Sequence, residues 1–395
     1  MVLFKNYGPS DLSLPTCGWA PPSDVRGPRK FSIFGVSTRV VTVFKQYHLI
    51  LIAIILLFSS CKMKEITELP RIPDEAYDKG VSAPFCGMLG DRLVVAGGAN
   101  FPDKPLLEGG AKRVYDDIWA CDGAAWERIG NLPDSTAYGA TFQLSDGLVF
   151  AGGSVKGTPS EKVFTLSGSG LERLPDLPCG IQEAGAAYYG GLLILAGGMP
   201  DQVGHDENNG AGIYACREGE YEWARIGSLP EPMVQPVAYL SGDRLFIWGG
   251  FNPSTLKLPK EGWVYRIQND AAEIIGTVAY PDGGTFVGSA GIPVKFSGED
   301  CLAVIGGVDR AIFSKALHNT PEDRIPYLSK EPAEYRFRST VWIFNPSDES
   351  WSPLKESPEF ALAGPGAAYS QGTLYIAGGE LKPGVRSPKI ISLQL

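Results

Sequence analysis

Six positions separate a glutamate from an arginine in the segment GGELKPGVR, near the C-terminal end of the chain, and Glu380 is the only acid that directly follows a Gly-Gly pair. The Pro-Gly between them invites a tight turn that would bring Glu380 and Arg386 together. A carboxylate beside a guanidinium can exchange a proton with a hydroxyl, while the planar cation holds a substrate carboxylate through two parallel hydrogen bonds. The same spacing fits a salt bridge that only pins the loop, and the residues alone leave both readings open. Other polar groups recur at related places. Asn100, Asp309 and Arg310 come just after Gly-Gly pairs, Glu183 precedes the small-residue stretch AGAAYYGG, and Arg113 ends the long segment that follows the first pair. Mixed with aromatic residues such as Tyr138, these groups suit a sugar, whose faces stack and whose hydroxyls need paired donors and acceptors. We therefore expect Asn100, Arg113, Glu183, Asp309 and Arg310 to bind substrate.

The elements that must position these residues are visible as a repeat. Gly-Gly pairs fall at 97/98, 152/153, 197/198, 249/250, 306/307 and 378/379, each closing a short apolar strand such as RLVVAGG, GLVFAGG or TLYIAGG. Each unit has an inner strand rich in Gly and Ala, a strand ending in Gly-Gly, a loop, and two outer strands of the type WERIGNLP. Small residues let sheets converge near an axis, and glycine pairs allow close backbone approach at a strand end. A single sheet of this kind cannot cover both its faces, so neighbours must cover each other. The expected fold is all-β, a six-bladed Kelch-type β-propeller. The last unit lacks one strand, and EITELPRIP at residues 65–73 is expected to supply it by pairing with residues 389–395, closing the ring. The stretch from Val308 to Ser339 is long enough to cap the central basin.

Composition narrows the function. The chain has 395 residues, 49 Gly, 31 Pro, 20% charged side chains and a formal charge of −9. Residues 61–395 hold 29 basic against 42 acidic side chains, a net −13, which argues against a nucleic acid partner because phosphate neutralisation needs a basic surface. His48, His205 and His318 are the only histidines, and the seven Cys form no CxxC pair, so we expect no metal centre. Residues 1–60 form an N-terminal extension ahead of a propeller over 61–395. The apolar run from Leu49 to Phe58, then Ser59, Ser60 and Cys61, has the order of a secretory signal. A Cys in that place resembles the bacterial lipoprotein signal, with Cys61 lipidated, a membrane link only through that anchor, and an exported, periplasmic or outer-membrane-anchored protein.

GVSAPFCGMLGDRLVVAGGANFPDKP followed by EGGAKRVYDDIW resembles the first blade of the cyclically permuted mutarotase family, Kelch-repeat relatives of bacterial N-acetylneuraminate mutarotase. GGVDRAIF and GGELKPGVRS resemble segments of that family in permuted order, and the likeness covers residues 64–395. It implies an exported isomerase that speeds interconversion of the α and β anomers of sialic acid, without metal or nucleotide. It also places the catalytic pair of the GGExKPGxR segment on Glu380 and Arg386. The alternative is a non-catalytic carbohydrate-binding or scaffold propeller, since a fold does not settle activity.

Overall fold

All twelve glycines of the six pairs have positive φ, from 63° at Gly378 to 101° at Gly307, a backbone that side chains disfavour. In five pairs the second glycine donates its N–H to a carbonyl just ahead of the next inner strand: Gly98 to Thr136 at 2.9 Å, Gly153 to Ile181 at 2.8 Å, Gly198 to Met233 at 2.7 Å, Gly307 to Leu362 at 2.7 Å, and Gly379 to Val81 at 2.8 Å. The repeat therefore stitches each sheet to the following one. At the remaining pair the Gly249 N–H goes to the Tyr280 hydroxyl at 2.6 Å. A Cβ on Gly97 would stand 2.2 Å from the Thr136 carbonyl oxygen, so no other residue fits there.

The computed structural model describes residues 65–200 and 209–395; Cys61, the apolar run before it and His205 lie outside the described residues. Among the described residues the fold is all-β with two α-helices, and six of the sheets are four-stranded antiparallel units, consistent with a propeller. The first comprises Phe85–Leu89, Arg92–Ala96, Asp117–Cys121 and Trp126–Asn131. Four more follow in the same order along the chain, with inner strands Ala140–Gln143, Gly185–Tyr189, Val234–Ser241 and Ser289–Phe296. The sixth takes Gly366–Ser370, Thr373–Ala377 and Ile390–Gln394 from the end of the chain and Ile66–Glu68 from near residue 65, with Ile66 opposite Leu393. The strand pairing expected from EITELPRIP is present.

Neighbouring sheets touch through their inner strands. The Gln143 side chain accepts from Met88 N–H at 2.7 Å and returns a bond to the Met88 carbonyl at 2.9 Å. A Cβ on Gly291 would meet Val237 Cγ1 at 2.6 Å, and one on Gly366 would meet Cys86 Cβ at 2.7 Å, so glycine sets how closely the fourth and fifth, and the sixth and first, inner strands can pack. Toward the periphery the gap widens and aromatic rings fill it: Trp248 meets Phe344 edge-on at 4.7 Å and Trp351 at 5.3 Å between the fourth and fifth sheets.

A left-handed residue stands at the start of each inner strand, just ahead of it or, for Gln235, just inside it: Ala83, Tyr138, Glu183, Gln235, Gly288 and Gly364, with φ between 51° and 72°. Five backbone hydrogen bonds of 2.7–3.0 Å link them in sequence, from Gly288 through Gly364, Ala83, Tyr138 and Glu183 to Gln235. Between the second and third strands of the fifth sheet, residues 308–339 carry helices Arg310–Ala316 and Pro321–Leu328 rather than a plain loop. Asp309 caps the first by accepting from Ile312 N–H, and a Thr320/Asp323 capping box with Pro321 in the first turn starts the second.

Candidate functional site

Pro383 and Gly384 form the two-residue turn of a small ribbon in which Glu380 lies directly across from Arg386. Gly384 has φ of 85°, the value that the third position of a Pro-Gly turn requires. Arg386 Nη1 then stands 2.6 Å from Glu380 Oε1, with the arginine side chain 3% exposed and the glutamate 26%. Arg386 Nε donates to Ser82 Oγ at 3.0 Å and to the Ala99 carbonyl at 3.3 Å, and its guanidinium lies over the Phe101 ring at 5.0 Å. The ion pair approaches off the hydrogen-bonding direction, so Nη1 has no aligned acceptor. Burial pushes the Glu380 carboxyl above the usual carboxylate range; Arg386, the Gly384 N–H and Lys112 oppose that rise without cancelling it.

Glu380 lines a cavity of about 390 Å³ floored by the left-handed residues, with Tyr138, Glu183 and Gln235 on one side and Ala83, Gly288 and Gly364 on the other. Such a volume suits a single sugar. Val308 and Phe313, from the start of the helical insertion, cover part of it. Phe313 is held edge-on by Phe251 at 5.5 Å. Glu183 Oε1 accepts from Gln235 Nε2 at 2.9 Å. Burial raises the Glu183 carboxyl as well, against the lowering influence of Gln235 and Lys112. A second cavity of about 350 Å³ lies among the inner strands, but its walls carry no carboxyl.

The structure separates the expected site residues into two sets. Glu380 and Glu183 share the cavity. Arg386 is not among the residues that line it: its guanidinium is held beside Glu380 by Ser82, Ala99 and Phe101. Asn100 lies outside the cavity lining, with Nδ2 donating to the Ala76 and Gly80 carbonyls at 2.9 and 2.8 Å and Oδ1 accepting from the Tyr115 hydroxyl at 2.7 Å. Arg310 is likewise spent on the carbonyls of Leu258, Pro259 and Gly284, pinning the helical insertion, and Asp309 on its helix cap. Arg113 is exposed opposite Asn100 in a short ribbon, with its guanidinium over Tyr115.

One residue was missed by reading the sequence. Lys112 holds its ammonium 4.9 Å from the centre of the Tyr138 ring and is the cation whose field reaches both Glu183 and Glu380. Its neighbour Arg113 is the residue expected to bind substrate, and only the path of the long first-sheet loop distinguishes the two. The arrangement can hold a polar ring against aromatic faces, offer carboxyls raised toward neutrality as proton donors or acceptors, and present one positive charge at the rim.

Residues 54–173 and 174–395 match the N-acetylneuraminate epimerase family. Among individual relatives, the N-acetylneuraminate epimerase of Brucella suis is 34% identical over 117 residues, 27% of this chain and 30% of that protein. The Vibrio vulnificus enzyme of that name is 33% identical over 108 residues, 25% of this chain and 28% of that protein. The Salmonella typhi enzyme is 27% identical over 182 residues, 43% of this chain and 46% of that protein. The chain thus aligns with less than half the length of each of these curated relatives, whereas the family match runs across all six Gly-Gly repeats. By that match over most of its length, the chain belongs to the N-acetylneuraminate epimerase family.

Proposed function

We propose that the six four-stranded sheets are the blades of one closed propeller and that the protein is a mutarotase, accelerating interconversion of the α and β anomers of N-acetylneuraminate. The observation that carries this reading is Glu380, a carboxyl raised by burial and held by a buried arginine on the wall of a sugar-sized cavity. Mutarotation needs little more than proton transfer. The anomeric hydroxyl loses its proton while the ring C–O bond breaks and the ring oxygen gains one; rotation about the neighbouring C–C bond presents the other carbonyl face, and closure reverses both transfers. A carboxyl raised toward the working pH can act in either direction. Arg386 fixes its orientation, and Lys112 at the rim offers a counter-charge for the sugar carboxylate. Tyr138 and Phe313 supply apolar faces for the ring.

Polarimetry on freshly released α-N-acetylneuraminate tests the proposal. The rotation is expected to relax faster in proportion to protein concentration. An unchanged rate rejects the enzyme, and unchanged rate with saturable sugar binding assigns the cavity to a carbohydrate-binding propeller instead. We also propose export with a lipid on Cys61, which labelled fatty acid incorporation lost in Cys61→Ser would support.

A further inference from the structure

The six left-handed positions that lead into the inner strands are equivalent in backbone, yet differ in what they carry. Two are glycine and one alanine, as that backbone favours, but Tyr138, Glu183 and Gln235 keep full side chains at φ of 63°, 58° and 60°. All three line the cavity. Side chains retained where glycine would be easier, and clustered on one cavity wall, point to a task in that cavity.

Glu183 is the carboxyl among them. Gln235 fixes its Oε1, while Oε2 has no hydrogen-bond partner among the described residues. Glu380 stands on the wall of the same cavity, from the last sheet. We propose that Glu183 is the second acid–base group of the reaction, working with Glu380 across the bound sugar. This rests on the mutarotase reading above. In ring opening one carboxylate takes the anomeric hydroxyl proton as the carbonyl forms, and the other, protonated, gives its proton to the departing ring oxygen. The pair then holds the same total of protons with the roles exchanged, and closure on the opposite face restores the start.

The surroundings resist charging of either carboxyl. Burial lifts both carboxyls, and Lys112 is the cation common to both. Gln235 faces Glu183; Arg386 and the Gly384 N–H face Glu380, whose charge also reaches Tyr327 and Tyr335.

Two variants of the full chain test the role. Glu183→Gln can keep the bond from Gln235 and removes only proton transfer; Glu183→Gly suits the left-handed backbone and opens room for a small acid. Both are expected to lower kcat for N-acetylneuraminate by about 10²- to 10⁴-fold with KM little changed, and added formate should restore part of kcat in Glu183→Gly but not in Glu183→Gln. Thermal melting of each variant confirms folding. A Glu183→Gln enzyme with kcat near that of wild type, a rise in KM alone, or a slow Glu183→Gly enzyme indifferent to formate would overturn the inference. An inert wild type would instead reject the mutarotase reading, so the two failures are distinguishable.

Discussion

Two acid–base pairs lie close together in sequence at the end of the chain, and they behave as different objects. Glu380–Arg386 and Glu359–Lys389 have similar contact distances, 2.6 and 2.8 Å. Their environments differ: Arg386 is 3% exposed and Glu380 26%, whereas Lys389 is 40% exposed and Glu359 36%. The outer pair raises the Lys389 ammonium through a plain charge-assisted bond, as expected in water. In the inner pair burial dominates and lifts the carboxyl even beside a guanidinium. Proximity of opposite charges therefore says little about chemistry; the cavity beside one pair and the solvent beside the other decide it.

The comparison can be broken by substitution. The largest expected effect is on rate: Glu380→Gln should reduce kcat by about 10²- to 10⁴-fold in the anomer assay, while Glu359→Gln leaves it within assay error. Next is stability. Arg386→Met strips the partner from a mostly buried carboxyl and should cost about 3–5 kcal/mol in urea unfolding, discounted where Glu380 escapes by protonation. Lys389→Met should cost about 0–1 kcal/mol.

A smaller effect lies in pH. A carboxyl whose folded value is raised holds its proton more tightly when folded, so its stabilising contribution is complete below the ordinary glutamate value of 4.5 and is lost as pH rises through the folded value. Melting of the wild type should accordingly fall from pH 4.5 upward, and Glu183→Gln should flatten part of that slope. The smallest change is for Lys112→Met. Losing the cation that lowers both carboxyls should move the acidic limb of the kcat/KM profile upward in pH, and Lys112→Arg should not.

Much of this was legible in advance, for physical reasons that attach to particular residues. The Gly-Gly pairs mark the sheets because in five of the six the second N–H must reach the next sheet through a backbone that side chains resist. Ile66–Glu68 pairs with Ile390–Gln394 because the last unit is one strand short. The Glu380–Arg386 ribbon follows from its Pro-Gly turn, a local feature. What was not legible depends on long-range placement. Arg386 is held beside Glu380 because Ser82 and Ala99, 304 and 287 residues away in sequence, supply its acceptors. Asn100 and Arg310 look like binding residues by type and position, but distant carbonyls take up their donors. The helices in residues 308–339 escaped a strand-by-strand reading although Asp309, Thr320 and Pro321 are ordinary start signals.

Exchange NMR at anomeric equilibrium offers the most direct test, because it reads the α-to-β flux of N-acetylneuraminate without any coupled step. With wild-type protein, cross-peaks between the two anomers should grow in proportion to protein concentration, and an equal amount of Glu380→Gln should leave them at the level of buffer alone. Equal flux with wild type and Glu380→Gln would contradict the account, since the carboxyl on the cavity wall would then move no proton.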